Sequence, residues 1–298
     1  MLKILALLTV GSLIGCVDNR DPESATREQA TGAMPNGWSL NGPDLNGVNS
    51  AATGAGVMLS GVLPLGQAAD GSPVAIHETG PALAGSGLVG STWTGVLSNG
   101  QTLPLTITAE AQGDVSSDLW RYTFFATVAG QQVPLCTDPD ANPIPAETVR
   151  GTWNVAAGVP GGGAYHPETA QFTVACWDSA ISKCLELGYQ PWAGLADEAA
   201  ACVRAIRGDY CGNGTPYTVE GILIGIFDID GIQVDDHWPV EAAWTPGGAA
   251  CVQHEQTTRF ARYAHGAPSC FGDTLRASES CGMGSSPDVA IVTELPAW

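Results

Sequence analysis

Positive charge is scarce in this sequence of 298 residues, which holds 11 Lys and Arg residues against 30 Asp and Glu residues and has a formal net charge of −19. A surface of that sign repels the phosphate backbone of nucleic acids and the anionic head groups of lipids. The imbalance therefore excludes DNA and RNA as partners. The length is sufficient for one large domain with a substantial hydrophobic core.

Motifs of familiar catalytic sites are also missing. The chain has no Gly-x-Ser-x-Gly nucleophile turn and no phosphate loop with Gly-Lys-Ser/Thr. His254-Glu255 opens like the helix of a zinc protease, but the second histidine of that motif is absent. We expect no cofactor. The missing motifs favour a protein that is not an enzyme, although the sequence does not decide this.

Long apolar runs are lacking except at the N-terminus, where a short one ends in residues 13–16, Leu-Ile-Gly-Cys. This ending resembles the lipobox of bacterial lipoproteins. Residues 1–15 are therefore predicted to be a signal peptide, and Cys16 the lipidated residue that attaches an exported protein to the membrane. An ordinary signal peptide cleaved nearby is the alternative. Val17 is not the aspartate that retains lipoproteins at the inner membrane, which favours the outer membrane.

The segment after the signal peptide has little capacity to build a core. Residues 16–35 are small and polar and are predicted to be a flexible tether. Residues 36–50 repeat Asn-Gly every five residues, with Leu40 and Leu45 closing the first two copies. The repeat resembles a fragment of a pentapeptide-repeat solenoid, and a glycine-rich linker with chance regularity is an equally good interpretation. Residues 36–89 are assigned to this repeat and linker region.

The cysteine count indicates covalent cross-links. An even set of cysteines behind an export signal predicts four disulfides, although the sequence does not decide which residues pair. Cys202 with Cys211 and Cys270 with Cys281 are the most local options. The spacings lack the close pairs of a zinc knuckle, so a zinc site is excluded. The eight candidates that remain beside Cys16 are Cys136, Cys176, Cys184, Cys202, Cys211, Cys251, Cys270 and Cys281.

Residues 90–298 carry the pattern of a folded domain. Short runs of β-branched and aromatic residues between glycine-rich turns predict an α+β fold that is mainly β, a single large disulfide-stapled domain with two short helices. Hairpin turns are predicted at Asn99-Gly100, at Ala129-Gly130 and near residues 246–248. A helix is predicted over residues 179–187.

A central stretch combines the second helix with a turn and a further hairpin. Apolar residues recur at helical spacing up to Ile206, and Gly208 is suited to the left-handed conformation that ends a helix. Tyr217 begins a β-rich segment, and Asp230-Gly231 is a two-residue hairpin signal. We therefore expect a hairpin over residues 217–232.

The densest acidic cluster follows this segment. Asp228, Asp230, Asp235 and Asp236 offer the oxygen atoms that calcium prefers. Their spacing is not that of an EF-hand, and Asp230 is already explained by a turn. They are weak calcium candidates, and we assign no metal site.

Several ordered motifs resemble one family. They are Phe172-Thr173-Val174-Ala175-Cys176, Lys183-Cys184, residues 188–192, Cys202-Val203-Arg204, Asp209-Tyr210-Cys211-Gly212 and residues 242–246. Together they are similar to the ADYC-domain family of myxobacterial-type exported proteins, in which an Ala-Asp-Tyr-Cys tetrapeptide gives the name. Gly208 replaces the alanine here. The resemblance implies no established reaction, cofactor or ligand.

Two further interpretations remain open at the level of sequence. Cys211 could be a nucleophile beside His237 or His265, although a disulfide would make it inert. The tryptophans, which include Trp177, are expected to anchor the core, and exposure of several would indicate a carbohydrate or peptide surface. We expect a cell-envelope lipoprotein that acts as a non-catalytic binding or structural module for an unknown extracellular ligand or envelope protein. The alternative is an exported hydrolase that acts on an extracellular polymer.

Overall fold

The structure is a computed structural model. It describes residues 33–35, 40, 59–63, 66–67, 73–74, 83–112, 119–167, 170–263 and 266–297. The predicted signal peptide and Cys16, with most of the predicted tether and repeat, lie outside the described residues. Within those ranges, no helix has both the length and the apolar character needed to cross a membrane.

Strands dominate the described part of the chain, as predicted for a mainly β domain. The strands are β1 (Ala33–Pro35), β2 (Leu59–Leu63), β3 (Gly66–Gln67), β4 (Pro73–Val74), β5 (Thr92–Leu97), β6 (Thr102–Gln112), β7 (Trp120–Val128), β8 (Gln131–Pro134), β9 (Ala146–Arg150), β10 (Thr152–Trp153), β11 (Tyr165–His166), β12 (Phe172–Cys176), β13 (Leu223–Asp228), β14 (Val240–Thr245), β15 (Gly248–Val252) and β16 (Ile291–Glu294). The α-helices are α1 (Ala180–Glu186), α2 (Ala196–Arg207) and α3 (Arg259–Arg262).

Seven antiparallel strands form the first half of the domain, in the order β6-β5-β2-β12-β9-β7-β8, and β6 also pairs with β7. Six of these strands therefore close into a ring, which we call the barrel, and closure removes exposed sheet edges. Residues alternate between the interior and the outside along β5 and β7. The interior is apolar and includes Trp93, Leu105, Ile107, Phe124 and Phe172.

The second half, which we call the helix–sheet unit, contains a five-stranded sheet in the order β1-β13-β16-β14-β15. Helix α2 packs against β14, β15 and β16, and α1 packs against α2. The predicted end of α2 is confirmed, because Gly208 has φ 62° and caps the helix in the left-handed conformation. Asp197 and Glu198 lie in its first turn, where carboxylates favour the helix dipole.

Most local predictions are confirmed. The turns at Asn99-Gly100 and Ala129-Gly130 connect β5 to β6 and β7 to β8, and the hairpin near residues 246–248 connects β14 to β15. The predicted helix over residues 179–187 is α1, and the side chain of Ser179 accepts a hydrogen bond from Ser182 N at its start. Helix α3, a single turn, was not predicted.

The predicted hairpin over residues 217–232 is wrong. Strand β13 pairs with β1 and β16 and has no partner on the far side of Asp230-Gly231. The cause is the carboxylate of Asp228, which accepts hydrogen bonds from Ile232 N and Gln233 N at 3.1 and 2.8 Å and turns the chain away from the sheet.

The predicted number of disulfides is confirmed. Both local pairings, Cys202 with Cys211 and Cys270 with Cys281, are wrong. Cys202 is bonded to Cys184 of α1, at a Cα–Cα distance of 5.9 Å, because α1 and α2 pack together. Beyond the turn at Gly208 the chain leaves α2, and Cys211 is bonded to Cys270 instead. The remaining bonds are Cys136–Cys176 and Cys251–Cys281.

Some described residues from the predicted tether, repeat and linker take part in the fold. Leu40, in the predicted repeat, is buried in the core of the helix–sheet unit, and its carbonyl accepts a hydrogen bond from Ile181 N at 3.1 Å. Strand β2 comes from the predicted linker and closes the barrel between β5 and β12. Strand β1 comes from the end of the predicted tether.

Candidate functional site

The turn at Gly208-Asp209-Tyr210-Cys211 leads out of α2 into the interior of the helix–sheet unit. Asp209 is fully buried and accepts hydrogen bonds from Asn213 N at 3.1 Å and Gly214 N at 2.9 Å. The same carboxylate forms an ion pair with Arg204. Asp209 therefore fixes the path of the turn, and its charge is neutralised inside the protein.

Two arginines of α2 tie this turn to distant loops. Arg204 donates to Pro246 O at 3.2 Å and to Gly162 O at 2.5 Å. Arg207 donates to Gly214 O at 2.8 Å, and burial lowers the pKa of its guanidinium to about 10. Both side chains donate to backbone carbonyl oxygens, so these buried charged groups have hydrogen-bond partners.

Tyr210 belongs to a second buried network, centred on Glu241 and Arg259. Its hydroxyl donates to Glu241 Oε1 and accepts from Arg259 N at 3.2 Å. Arg259 Nε donates to Glu241 Oε1 at 2.9 Å, and Thr293 Oγ1 donates to Glu241 Oε2 at 2.8 Å. Burial alone would raise the pKa of Glu241, but the Arg259 charge and the hydrogen bonds lower it below its ordinary value. Glu241 is therefore a stable anion.

The motif is thus a structural element. Tyr210 packs against Trp244 and Phe260 with ring centroids 4.9 and 5.0 Å apart. Cys211 is held in the disulfide to Cys270, so the hypothesis of a Cys211 nucleophile is wrong. His237 lies on the surface and bonds with Asp235 of its own loop, and His265 lies outside the described residues.

The four calcium candidates differ in burial and in their hydrogen bonds. Asp228 is buried and also accepts a hydrogen bond from the Tyr189 hydroxyl at 2.8 Å, so its oxygens serve the fold. Asp230 and Asp235 are exposed, and Asp236 is partly buried. In the described ranges, no group of three or more His, Cys, Asp or Glu side chains is placed to hold a metal ion.

Glu294 is an acidic residue that the sequence analysis missed. It lies at the end of β16, and its Oε2 accepts a hydrogen bond from Asp236 N at 3.1 Å. Burial, followed by the neighbouring Asp235, raises the pKa of Glu294 to about 7. Burial and Asp235 also raise the pKa of Asp236. No sequence signal identifies Glu294, because 58 positions separate it from Asp236.

A second cluster, which we call the Trp177 cluster, contains Arg121, Glu147, Trp177, Asp178, Lys183 and Glu186. The Trp177 side chain is 43% exposed, and its Nε1 donates to Glu186 Oε1 at 3.0 Å. The guanidinium of Arg121 lies 5.6 Å from the centroid of the Trp177 ring. The indole is therefore held in place although it faces solvent.

Arg121 connects two carboxylates in this cluster. Its Nε donates to Glu147 Oε1 at 2.8 Å, and its Nη2 forms an ion pair with Glu186 Oε1. Burial, followed by the charge of Glu147, raises the pKa of Glu186 to about 7. Glu147 is 1% exposed, and its Oε2 is buried without a hydrogen-bond partner among the described residues.

A cleft of about 440 Å³ lies at the opposite end of the barrel, between the turns that follow β5 and β7. Its lining is uncharged, and no side chain in it titrates near neutral pH. The lining residues are Leu97, Gly100, Gln101, Thr102, Leu103, Pro104, Thr127, Val128 and Ala129. The cleft offers no acid or base for catalysis.

The prediction that tryptophans anchor the core is confirmed for Trp93, Trp153 and Trp244, which are 1, 3 and 0% exposed. Trp120, Trp192 and Trp238 are partly buried, and Trp177 is exposed.

Comparison with known proteins gives one match. A family model described as ADYC domain matches residues 85–258, which is more than half of the chain and includes the whole barrel except β2. Neither a curated protein nor a solved structure matches the chain.

Proposed function

The chain belongs to the ADYC-domain family, and from that premise we propose that it acts as a non-catalytic binding or structural module of the cell envelope. Its four disulfides are compatible with an exported protein, because such bonds persist in oxidising compartments. In this proposal a lipid on Cys16 provides the membrane anchor, and the ligand is extracellular or is another envelope protein.

One observation carries the proposal: the side chains of the family motif form contacts inside the protein that stabilise the fold. Asp209, Tyr210 and Cys211 are engaged with an ion pair, a buried hydrogen-bond network and a disulfide. A catalytic group needs access to a substrate, and the interior position of Asp209 and Tyr210 denies it. The described cleft in turn lacks titratable groups. Binding therefore fits these features better than catalysis.

An exported hydrolase is the second candidate, and the Trp177 cluster favours it. A carboxyl with a pKa of about 7, such as that of Glu186, can act as a general acid, and Glu147 provides a second carboxylate nearby. Against this role, Arg121 and Trp177 already hold Glu186 Oε1 in place.

Incubation of the purified full-length protein with isolated envelope glycan separates binding from turnover. We expect the protein to sediment with the glycan and the glycan to release no reducing ends. Release of reducing ends that disappears in Glu186→Gln and persists in Glu294→Gln would establish the hydrolase instead. If the protein neither sedimented with the glycan nor released reducing ends, both functions would be contradicted.

The proposed anchor is tested by fractionation of cells that express the full chain. We expect the unmodified protein in the membrane pellet and a Cys16→Ser variant in the soluble or secreted fraction, since a lipid requires the cysteine. Unmodified protein in the soluble fraction would remove the anchor from the proposal and leave the binding role to be judged on the glycan experiment.

A further inference from the structure

We propose that the Trp177 cluster is a carbohydrate-binding site in which the indole of Trp177 stacks against one sugar ring of an extracellular polysaccharide. The inference rests on the proposed binding function and assigns it a position and a ligand class. It begins from Trp177 because its indole is 43% exposed and yet held by Glu186 and Arg121, which offers a fixed aromatic surface to a ligand.

The surroundings hold Trp177 in one orientation. It follows β12 directly after Cys176, which the disulfide to Cys136 fixes to the barrel. Trp177 N donates to Pro145 O at 2.9 Å. The next residue, Asp178, has φ 72°, a left-handed conformation that costs a non-glycine residue free energy and is concentrated at functional sites. A preorganised aromatic surface loses little entropy on binding.

The charges around the indole decide the class of ligand. Arg121 and Lys183 supply positive charge, and Lys183 Nζ lies 2.9 Å from Asp178 Oδ1. Glu186 and Asp178 supply carboxylate acceptors in the same cluster. A cationic ligand would be repelled by the arginine and the lysine, and an anionic ligand by the carboxylates. Sugar hydroxyls both donate and accept hydrogen bonds, so a neutral sugar suits this mixture.

An unmet hydrogen-bond acceptor in the cluster is a separate indication of a ligand. Glu147 Oε2 is buried without a partner in the described part of the chain, although Glu147 Oε1 accepts from Arg121. A buried carboxylate oxygen without a donor is unfavourable. The sequence gives no sign of this, because 26 positions separate Arg121 from Glu147.

The test is affinity electrophoresis of the full-length protein in native gels that contain dextran, laminarin, galactomannan or hydroxyethyl cellulose. We expect at least one of these neutral polysaccharides to retard the unmodified protein. Trp177→Ala should weaken binding by at least about tenfold, which corresponds to about 1.4 kcal/mol. Trp177→Phe should recover part of the affinity because it keeps an aromatic face. Tyr263→Ala, a matched change of an exposed aromatic elsewhere, should leave binding within about twofold.

The outcomes separate this inference from the proposed function. Absence of retardation by every polysaccharide, or equal retardation of Trp177→Ala and the unmodified protein, would overturn the carbohydrate site. If envelope glycan still sedimented the Trp177→Ala variant as well as the unmodified protein, the binding function would stand and its site would lie elsewhere. Thermal unfolding of each variant checks that a loss of binding is not a loss of fold.

Discussion

The barrel and the helix–sheet unit are stabilised in different ways. The barrel buries an almost wholly apolar interior, in which Phe124 packs edge-on against Trp93 and Tyr122. The helix–sheet unit buries the ion pairs Arg259–Glu241 and Arg204–Asp209, whereas the ion pair of the barrel strands, Arg121–Glu147, lies where the barrel meets Glu186 of α1. An apolar core tolerates changes of similar volume, whereas a buried charge requires its partner. The difference teaches that the family motif lies in the part of the protein where single substitutions are most costly.

The largest effect is expected from a substitution that breaks the buried ion pair between Arg259 and Glu241. Arg259→Leu would leave Glu241 buried without its counter-charge and should lower the free energy of unfolding by about 3–5 kcal/mol. The barrel change Ile107→Val should cost only about 0.5–1.5 kcal/mol. Chemical denaturation measures both. The double variant Arg259→Leu with Glu241→Leu should recover much of the loss, because no charge then remains unpaired.

If Arg259→Leu cost no more than Ile107→Val, the two halves would not differ as described. A failure of the double variant to recover stability would indicate that the pair positions Tyr210 and Thr293 as well as neutralising charge.

The second prediction compares one disulfide from each half. In the chain-entropy model, loss of Cys211–Cys270, with a sequence separation of 59, or of Cys136–Cys176, with a separation of 40, should each cost about 4 kcal/mol. Closure entropy depends on the logarithm of loop length, so the two paired Cys→Ser variants should agree within about 1 kcal/mol. Thermal unfolding without reductant provides the values. A much larger loss at Cys211–Cys270 would mean that this bond also maintains the buried network.

A matched pair of tyrosines sharpens the comparison. Tyr210→Phe removes a hydroxyl that bonds with Glu241 and Arg259, so it should destabilise by about 1–3 kcal/mol. Tyr122→Phe, in the barrel, changes a buried tyrosine that is not part of this network and should have a smaller effect. Equal effects in denaturant titrations would show that the buried network does not set the two halves apart.

The smallest expected effect concerns pH at the boundary between the halves, where Glu186 of α1 meets Arg121 of the barrel. Because the pKa of Glu186 rises from 4.5 to about 7 on folding, the native state binds the proton more tightly than the unfolded chain. The resulting stability is complete below about pH 4.5 and is lost as the pH rises through about 7.

Glu186→Gln removes this dependence. The Tm of the variant relative to the unmodified protein should therefore increase by a few degrees as the pH rises from about 5 to about 8. Glu279→Gln is the control, since Glu279 is an exposed acid outside the Trp177 cluster and its replacement should leave the shape of the profile unchanged. A constant Tm difference for Glu186→Gln across this range would contradict the raised pKa.

Features set by neighbouring residues could be predicted from the sequence. The hairpin at Asn99-Gly100 and the end of α2 at Gly208 depend on backbone preferences of one or two residues. The same reasoning failed at Asp230-Gly231. The Asp228 carboxylate accepts hydrogen bonds from Ile232 N and Gln233 N, so these backbone groups do not pair with β13 as a second strand of a hairpin. Local preference predicts a turn but does not say what the chain does after it.

Features that join distant parts of the chain could not be predicted. Tyr210 meets Glu241 across 31 positions, and Glu186 meets Arg121 across 65, so neither pair has a spacing that a sequence pattern would reveal. The partner of Cys211 was missed for the same reason. The sequence identifies the motif by its residues. Its role in a buried network depends on Arg259 and Glu241, which lie far from it in the sequence.

The central claim, that the family motif holds the fold together and is not a reactive site, is tested most directly by peptide mapping of the unreduced, alkylated protein. The account predicts a peptide with Cys211 cross-linked to a peptide with Cys270, and no alkylated Cys211. An alkylated Cys211, or a bond from Cys211 to Cys202, would contradict it.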